Sequence, residues 1–268
     1  MNGAGNDFIM LDNREGHLTL NHTHIAHLCD RHRGIGADGL LILEKPSSTH
    51  AAARMCYYNA DGHEAEMCGN GARCFTRYVA GLWKQTTGSI TFETAAGILE
   101  GELLEDQVQI SMSDPHTIAL HEVVGDYKEV HSINTGVPHV VLFVDDLEHA
   151  PVIEMGRALR HHVSFAPAGT NVNFVQIIAP NHLAIRTFER GVEDETLACG
   201  TGVVASALIH HLLSKVASPV SVTVRGRETL EVAFVSALLT THDLPKINQV
   251  TLTGPAEFVF EGTIYIHG

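Results

Sequence analysis

Apolar and polar positions alternate with a period of two at residues 89–94, 107–112, 220–224 and 249–253. That pattern predicts strands with one buried and one wetter face. Residues 54–58 and 183–188 also read as strands, and the apolar run 140–144 as another. Between these pieces, residues 72–80 and 203–213 are mostly apolar, free of proline and long enough for a helix. Both predict buried central helices, the first stopped by Gly81. A shorter helix is expected over residues 23–32, with Asn21 as its cap, Ile25, Leu28 and Cys29 on one face and Gly34 at its end.

The order of these pieces repeats. In the first half the strand at 54–58 leads through Asn59-Ala60-Asp61-Gly62 and acidic residues to Cys68-Gly69-Asn70-Gly71 and a central helix. In the second half the strand at 183–188 leads through Glu189-Arg190-Gly191 and acidic residues to Cys199-Gly200-Thr201-Gly202 and the other helix. The two cysteines are 199 − 68 = 131 positions apart in a chain of 268. Two similar α+β halves are therefore expected.

Composition narrows the partners. With 17 Lys and Arg against 31 Asp and Glu, the net charge is −14. The basic residues are scattered, so the stripe needed to release counterions from a nucleic acid is missing. The most apolar stretch, residues 203–209, falls far short of the ~20 residues that span a bilayer. No basic segment or apolar leader opens the sequence, which fits a cytoplasmic protein. Five cysteines, an odd number in a chain of this length, are expected as free thiols.

A cysteine just before a helix, with glycines in the first turn, has several backbone N–H groups and the positive end of the helix dipole near its sulfur. Both favour the thiolate. Cys68 and Cys199 stand in that setting, and Gly69, Gly71, Gly200 and Gly202 let a ligand carboxylate approach the amides. Cys29 and Cys74 fall inside helical patterns and Cys56 inside a strand, where cysteine behaves as a small hydrophobe. Two thiols of matched acidity suit inversion of a stereocentre, one taking a proton from one face while the other supplies a proton to the opposite face. His22, His24, His27, Cys29 and His32 invite a metal reading, but a helix spreads them around its axis and the spacing fits no zinc pattern. A solvated face is expected there, and no metal.

These residues carry a family resemblance. Asn59-Ala60-Asp61-Gly62, Glu66-Met67-Cys68-Gly69-Asn70-Gly71-Ala72-Arg73-Cys74, Glu189-Arg190-Gly191 and Glu195-Thr196-Leu197-Ala198-Cys199-Gly200-Thr201-Gly202 closely resemble the motifs of the diaminopimelate epimerases. Further matches run from Gly5-Asn6-Asp7-Phe8 through residues 31–38 and Gly136-Val137-Pro138-His139 to Gly169-Thr170-Asn171. The resemblance implies an α+β fold of two pseudo-symmetric halves, each a β-barrel-like sheet around a central helix. One half is expected over residues 1–115, with Cys68 and a returning C-terminal strand at 257–268; the other, with Cys199, over 116–256.

The activity it implies is a cofactor-independent isomerase that interconverts LL- and meso-2,6-diaminopimelate for lysine and cell-wall biosynthesis, acting as a cytoplasmic homodimer. Cys68 and Cys199 match the two catalytic bases. Gly69, Asn70, Gly200 and Thr201 match the cradle for the reacting carboxylate, and Asn6 a contact to the nearby amino group. Asn59, Asn171, Glu189 and Arg190 match the grip on the distal end, and His139 and Glu189 the groups that tune the thiols.

The sequence departs from the family pattern at Gly39, where many members carry glutamine, and at Val137, where many carry asparagine. It starts five residues before Asn6, short of the usual first strand. As an isolated dipeptide Glu189-Arg190 would read as a surface ion pair, but its place before the Cys199 loop points to binding. His139, ahead of an apolar run, could equally be a core residue. Two alternatives remain: a proline or hydroxyproline racemase, against which Asn70 and the Glu189-Arg190 clamp argue, and a non-catalytic binding protein on the same fold.

Overall fold

The computed structural model describes residues 1–65, 67–237 and 244–265; Glu66 of the first cysteine motif lies outside the described residues. The chain divides into two compact units, residues 1–110 with 254–268, and residues 111–253.

The first unit runs β1 (Asn2–Gly3), β2 (Asn6–Asp12), α1 (His22–Cys29), β3 (Gly39–Glu44), β4 (Ala53–Asn59), α2 (Gly69–Trp83), β5 (Gly88–Thr94), β6 (Gly97–Leu104) and β7 (Gln107–Ser111). Its strands lie side by side in chain order. The pairs β2·β3 and β4·β5 are parallel, and β1·β2, β3·β4, β5·β6 and β6·β7 are antiparallel. Because α2 touches β1 and β2 at one end of this row and β6 near the other, the sheet curls around the helix. Phe75 of α2 packs on Phe92 of β5, ring centroids 5.0 Å apart, with Leu41, Ile90, Val108 and Ile110 buried around them. On the outside, α1 lays Ile25, Leu28 and Cys29 against Ile9, Leu40, Ile42 and Cys56.

The second unit contains β8 (His116–Val124), β9 (Tyr127–Asn134), β10 (Pro138–Phe143), α3 (Val152–Arg160), a short 3₁₀ turn (Val163–Phe165), β11 (Asn171–Ala179), β12 (His182–Glu189), β13 (Asp194–Thr196), α4 (Gly200–Ser214), β14 (Val220–Thr223), β15 (Thr229–Ala237) and β16 (Lys246–Pro255). Here the strand order is β16-β15-β14-β12-β11-β10-β9-β8, with β13 paired to β12. Contacts from α4 reach β9, β10, β11, β12, β14 and β15. A helix enclosed on so many sides must be apolar all round, and residues from Val203 through His210 are all buried. The outer face of this sheet is covered by α3, around Leu142, Val172, Phe174 and Phe188.

The mixed α+β architecture, the two central helices and the period-two strands match the sequence reading. Several boundaries differ, for local reasons. The first helix ends at Cys29 rather than His32, because the Asp30 carboxylate accepts the N–H groups of His32 and Arg33 and turns the chain. Gly81 does not stop α2, which continues to Trp83 and ends at Lys84 in the left-handed conformation. Lys215 ends α4 in the same way. Of the strand expected at 257–268, the described part holds a bridge between Glu257 and Asn2. That pairing is antiparallel; residues 258–265 have no ladder, and 266–268 lie outside the described residues. No described helix is long and apolar enough to cross a membrane.

Candidate active site

In the first unit Cys68 is the N-cap of α2, with extended backbone (φ −137°, ψ 119°). Its Sγ accepts the N–H of Gly71 at 3.5 Å and lies 3.6 Å from Oδ1 of Asn6, to which the thiol donates. Asn6 is presented by a tight turn, Ala4 and Gly5 both having positive φ (61° and 85°), at the start of β2. Nδ2 of Asn6 donates to Asp38 at 2.7 Å, and Arg31 bridges Asp38 and Asp7. Asn70, buried in the first turn of α2, donates to the same Asn6 Oδ1 at 3.4 Å and accepts from the fully buried Arg73 at 2.9 Å.

Asn6, Cys68, Gly69 and Asn70 thus form one group. Asn59 stands apart at the exposed end of β4, where its Oδ1 accepts the Tyr57 hydroxyl at 2.8 Å. Gly39 has no room for a side chain as the backbone stands: a Cβ there would lie 2.7 Å from the Tyr58 carbonyl and 2.8 Å from the Tyr57 ring.

The second unit builds a similar device. Cys199 is the N-cap of α4 (φ −118°, ψ 106°), 6% exposed, with Sγ 3.6 Å from the hydroxyl of Thr201. A Cβ on Gly202 would come within 2.3 Å of Asn173 Oδ1, so only glycine lets this strand residue sit under the helix start. The buried Asn173 amide accepts from Thr187 (2.9 Å) and donates to the Val140 carbonyl (2.8 Å) and to Nδ1 of His139 (3.1 Å). That donation puts the neutral imidazole's proton on Nε2, an atom that is buried with no hydrogen-bond partner among the described residues. Burial, with the Arg190 charge adding to it, pushes the His139 pKa down to about 3. At neutral pH His139 is therefore an uncharged N–H donor.

Asn171 is held by its own amide, which donates to the Pro138 carbonyl (3.0 Å) and accepts the backbone N–H of Arg190 (2.8 Å). This bond fixes the turn that carries Glu189 and Arg190. Glu189 accepts from the Thr196 hydroxyl at 2.8 Å. No ion pair joins Glu189 to Arg190: the ion pairs nearby are Arg186 with Glu195 and Arg160 with Glu193. The half-buried Arg190 guanidinium makes one 3.5 Å contact, to the Ala168 carbonyl, and no ion pair among the described residues. The surface ion-pair reading of this dipeptide does not match the geometry.

The sequence reading had no role for Asp7, Arg31, Asp38, Arg73 or Asn173. Asn173 carried a readable signal, since Asn171 and Asn173 put two amides on one face of a strand that is otherwise apolar through Val175.

The remaining thiols have a different environment. Burial raises Cys29 to about 11 and Cys56 and Cys74 to about 12, and all three are buried. At pH 7.5 such thiols are thiolate in at most about one part in 10³. A mild alkylating agent should therefore label Cys68 or Cys199 first, with the other three lagging, as peptide mapping would report. Fastest labelling at Cys29 would count against the acid–base reading of the helix-start thiols.

Among the described residues, one cluster could gather metal ligands: His121, Glu129 and His131 on the β8·β9 hairpin. Its Nδ1 atoms are already engaged, His121 with Glu129 (2.6 Å) and His131 with the His121 backbone N–H (3.2 Å). A cation would have to displace those bonds, and none of the three residues belongs to the groups around Cys68 or Cys199.

A family model for diaminopimelate epimerase matches residues 1–118 and 131–237. The diaminopimelate epimerase of Chlorobaculum tepidum is 43% identical over 98% of this chain and 99% of its own length. That of Aquifex aeolicus is 38% identical over 98% of this chain and 96% of its own. The chain belongs to the diaminopimelate epimerase family. Solved structures with this fold include a phenazine biosynthesis protein of the PhzF family from Bacillus anthracis (TM-score 0.70, 18% identity, 99% of this chain and 95% of that one). A probable proline racemase from Agrobacterium radiobacter is similar as well (TM-score 0.68, 17% identity, 92% and 81%). At these identities the likeness concerns the fold alone. The members of the diaminopimelate epimerase family are isomerases that work without pyridoxal phosphate.

Proposed function

We propose that this chain interconverts LL- and meso-2,6-diaminopimelate, using Cys68 and Cys199 as a pair of acid–base groups. One thiolate takes the α-proton and the electron pair is held briefly by the adjacent carboxylate. The other thiol then protonates the opposite face, leaving the two sulfurs with their roles exchanged. The observation that carries this reading is the repeated device: in each unit a cysteine caps the central helix and glycines open its first turn. Helix-start amides at Gly69, Asn70, Gly200 and Thr201 suit the carboxylate that must absorb the developing charge.

In this reading Asn6 contacts the amino group at the reacting carbon, while Asn59, Asn171, Glu189 and Arg190 hold the distal amino acid end. His139 tunes the second thiol as an uncharged Nε2–H donor, and Glu189 does so by its charge. The working halves are residues 1–115 with the C-terminal segment, and 116–256. We take the chain to act in the cytoplasm as a homodimer; sedimentation of the purified protein separates one chain from two.

The alternative is a proline or hydroxyproline racemase. It leaves the unpaired Arg190 guanidinium without a ligand, because a cyclic amino acid has no second carboxylate. Polarimetric assay of both substrates separates the readings. Inversion of diaminopimelate with none of proline is expected; the reverse would overturn the proposal, and inversion of neither would favour a non-catalytic binding protein.

A further inference from the structure

Arg73 is the least exposed charged residue among those described, at 0%, inside the first unit one and a half turns along α2 from Cys68. A guanidinium stays protonated at any ordinary pH and has no acceptor. Among the described residues its hydrogen bonds go only to neutral oxygens: Nη2 to Asn70 Oδ1 (2.9 Å) and to the Gly3 carbonyl (3.5 Å), and Nε to the Pro255 carbonyl (3.2 Å). Nη1 is buried with no hydrogen-bond partner among the described residues. Keeping a cation this dry costs several kcal/mol unless an opposite charge is near. Among the described residues, the ionisable groups whose charge acts on it are two thiols, Cys74 and Cys68. Cys74 is held protonated by its burial, which leaves Cys68.

The hydrogen bonds run one way as well. Arg73 can only donate, so Asn70 presents Oδ1 to it and Nδ2 to Asn6. Asn6 then accepts at Oδ1, from Asn70 and from the Cys68 thiol, and its Nδ2 donates to the carboxylate of Asp38. A donor-only group at one end and an acceptor-only group at the other fix both amides.

We propose that Arg73 is a positioning residue of the Cys68 site: a buried fixed charge that favours the Cys68 thiolate and, through Asn70, orients the amides that meet its sulfur. Two pulls then act on one sulfur. Arg73 and the Gly71 N–H favour the thiolate, and the accepting Asn6 Oδ1 favours the thiol. A group that must take a proton in one direction and give it in the other needs this balance.

Other charges face the same region: the Met1 amino group and Glu257, both felt at Cys74, and the partly buried Asp7 with the exposed Arg31 and Asp38 beyond Asn6. Unlike the exposed charges among these, Arg73 is fully buried and out of reach of salt. The proposal rests on reading Cys68 as an acid–base group.

The test is the pH dependence of iodoacetamide labelling at Cys68, followed by peptide mapping on the intact chain, with Cys199 as internal reference. In Arg73→Met the Cys68 midpoint should rise by about one unit, with labelling ~10-fold slower at neutral pH, while the Cys199 profile stays put. Arg73→Lys should keep the midpoint close to that of the parent. An unchanged Cys68 midpoint in folded Arg73→Met would overturn the proposal, as would equal shifts at both cysteines, which a purely structural role produces.

Should Arg73→Met not fold, Arg73→Gln removes the charge while keeping a donor for Asn70. The parent protein also decides: its Cys68 midpoint should hold steady between low salt and 1 M salt, whereas a rise of a unit would assign the thiolate to exposed Arg31 and reject Arg73. Labelling needs no substrate. The expected labelling without diaminopimelate inversion would overturn the proposed function and leave this inference standing; inversion with a flat Arg73 response would do the opposite.

Discussion

Replacing Cys68 or Cys199 by alanine should each lower the rate of diaminopimelate inversion by at least ~10²–10⁴-fold, the usual contribution of a positioned acid or base. Stability should move far less. Both residues are helix N-caps, where a lost cap costs ~1 kcal/mol, and neither sulfur makes a short cap bond: Cys68 accepts at 3.5 Å and Cys199 makes none. A variant that keeps its melting temperature within a few degrees and loses the reaction separates chemistry from folding.

The pairing itself is read in D₂O. With separate bases on the two faces, early product of the opposite configuration carries solvent deuterium while unreacted substrate stays protiated. Equal early labelling of both isomers would mean one shared base and would reject the pairing of Cys68 with Cys199.

The helix-start thiols were legible because their signal is local: a cysteine, glycines around it and a long apolar helix behind it, written twice. The central strands were legible for the same reason, since alternation needs only five or six residues to declare itself. What was missed depends on neighbours distant in sequence. Arg73 reads as one charged residue in an amphipathic helix, and nothing local says that α2 runs inside a curled sheet where that charge is buried. The Asp7–Arg31–Asp38 cluster joins residues 24 and 7 positions apart across a turn and two strands.

Helix α3 escaped notice because its face toward β11 and β12 offers only Val152, Gly156 and Leu159 as buried positions, too sparse for a periodic signal. The end of α2 lies beyond Gly81, the stop that the sequence suggests. Glycine in a helix costs only about 1 kcal/mol, and the turn was made three residues later by Lys84.

Arg190→Ala is the second substitution expected to have a large effect, and its environment makes the result interpretable. The backbone N–H of residue 190, which binds Asn171 and holds the turn, survives the change. The side chain gives up only a 3.5 Å contact to the Ala168 carbonyl and a charge that presses on His139. Little in the fold depends on the guanidinium, so the cost should fall on the ligand. A fork-to-carboxylate grip is worth ~1.5–3 kcal/mol per charge-assisted bond. Two such bonds at the distal carboxylate therefore predict a loss in kcat/KM of ~10²-fold or more.

Most of that loss should appear in KM, with a smaller fall in kcat because the distal grip also positions the reacting carbon. Arg190→Lys keeps the charge but not the fork and should recover part of the KM, while a short amino acid with no distal carboxylate should be handled equally by parent and variant. Steady-state kinetics on purified proteins check all three. Near-parental KM in Arg190→Ala would remove Arg190 from the binding site and reopen the question of what this unpaired guanidinium is for.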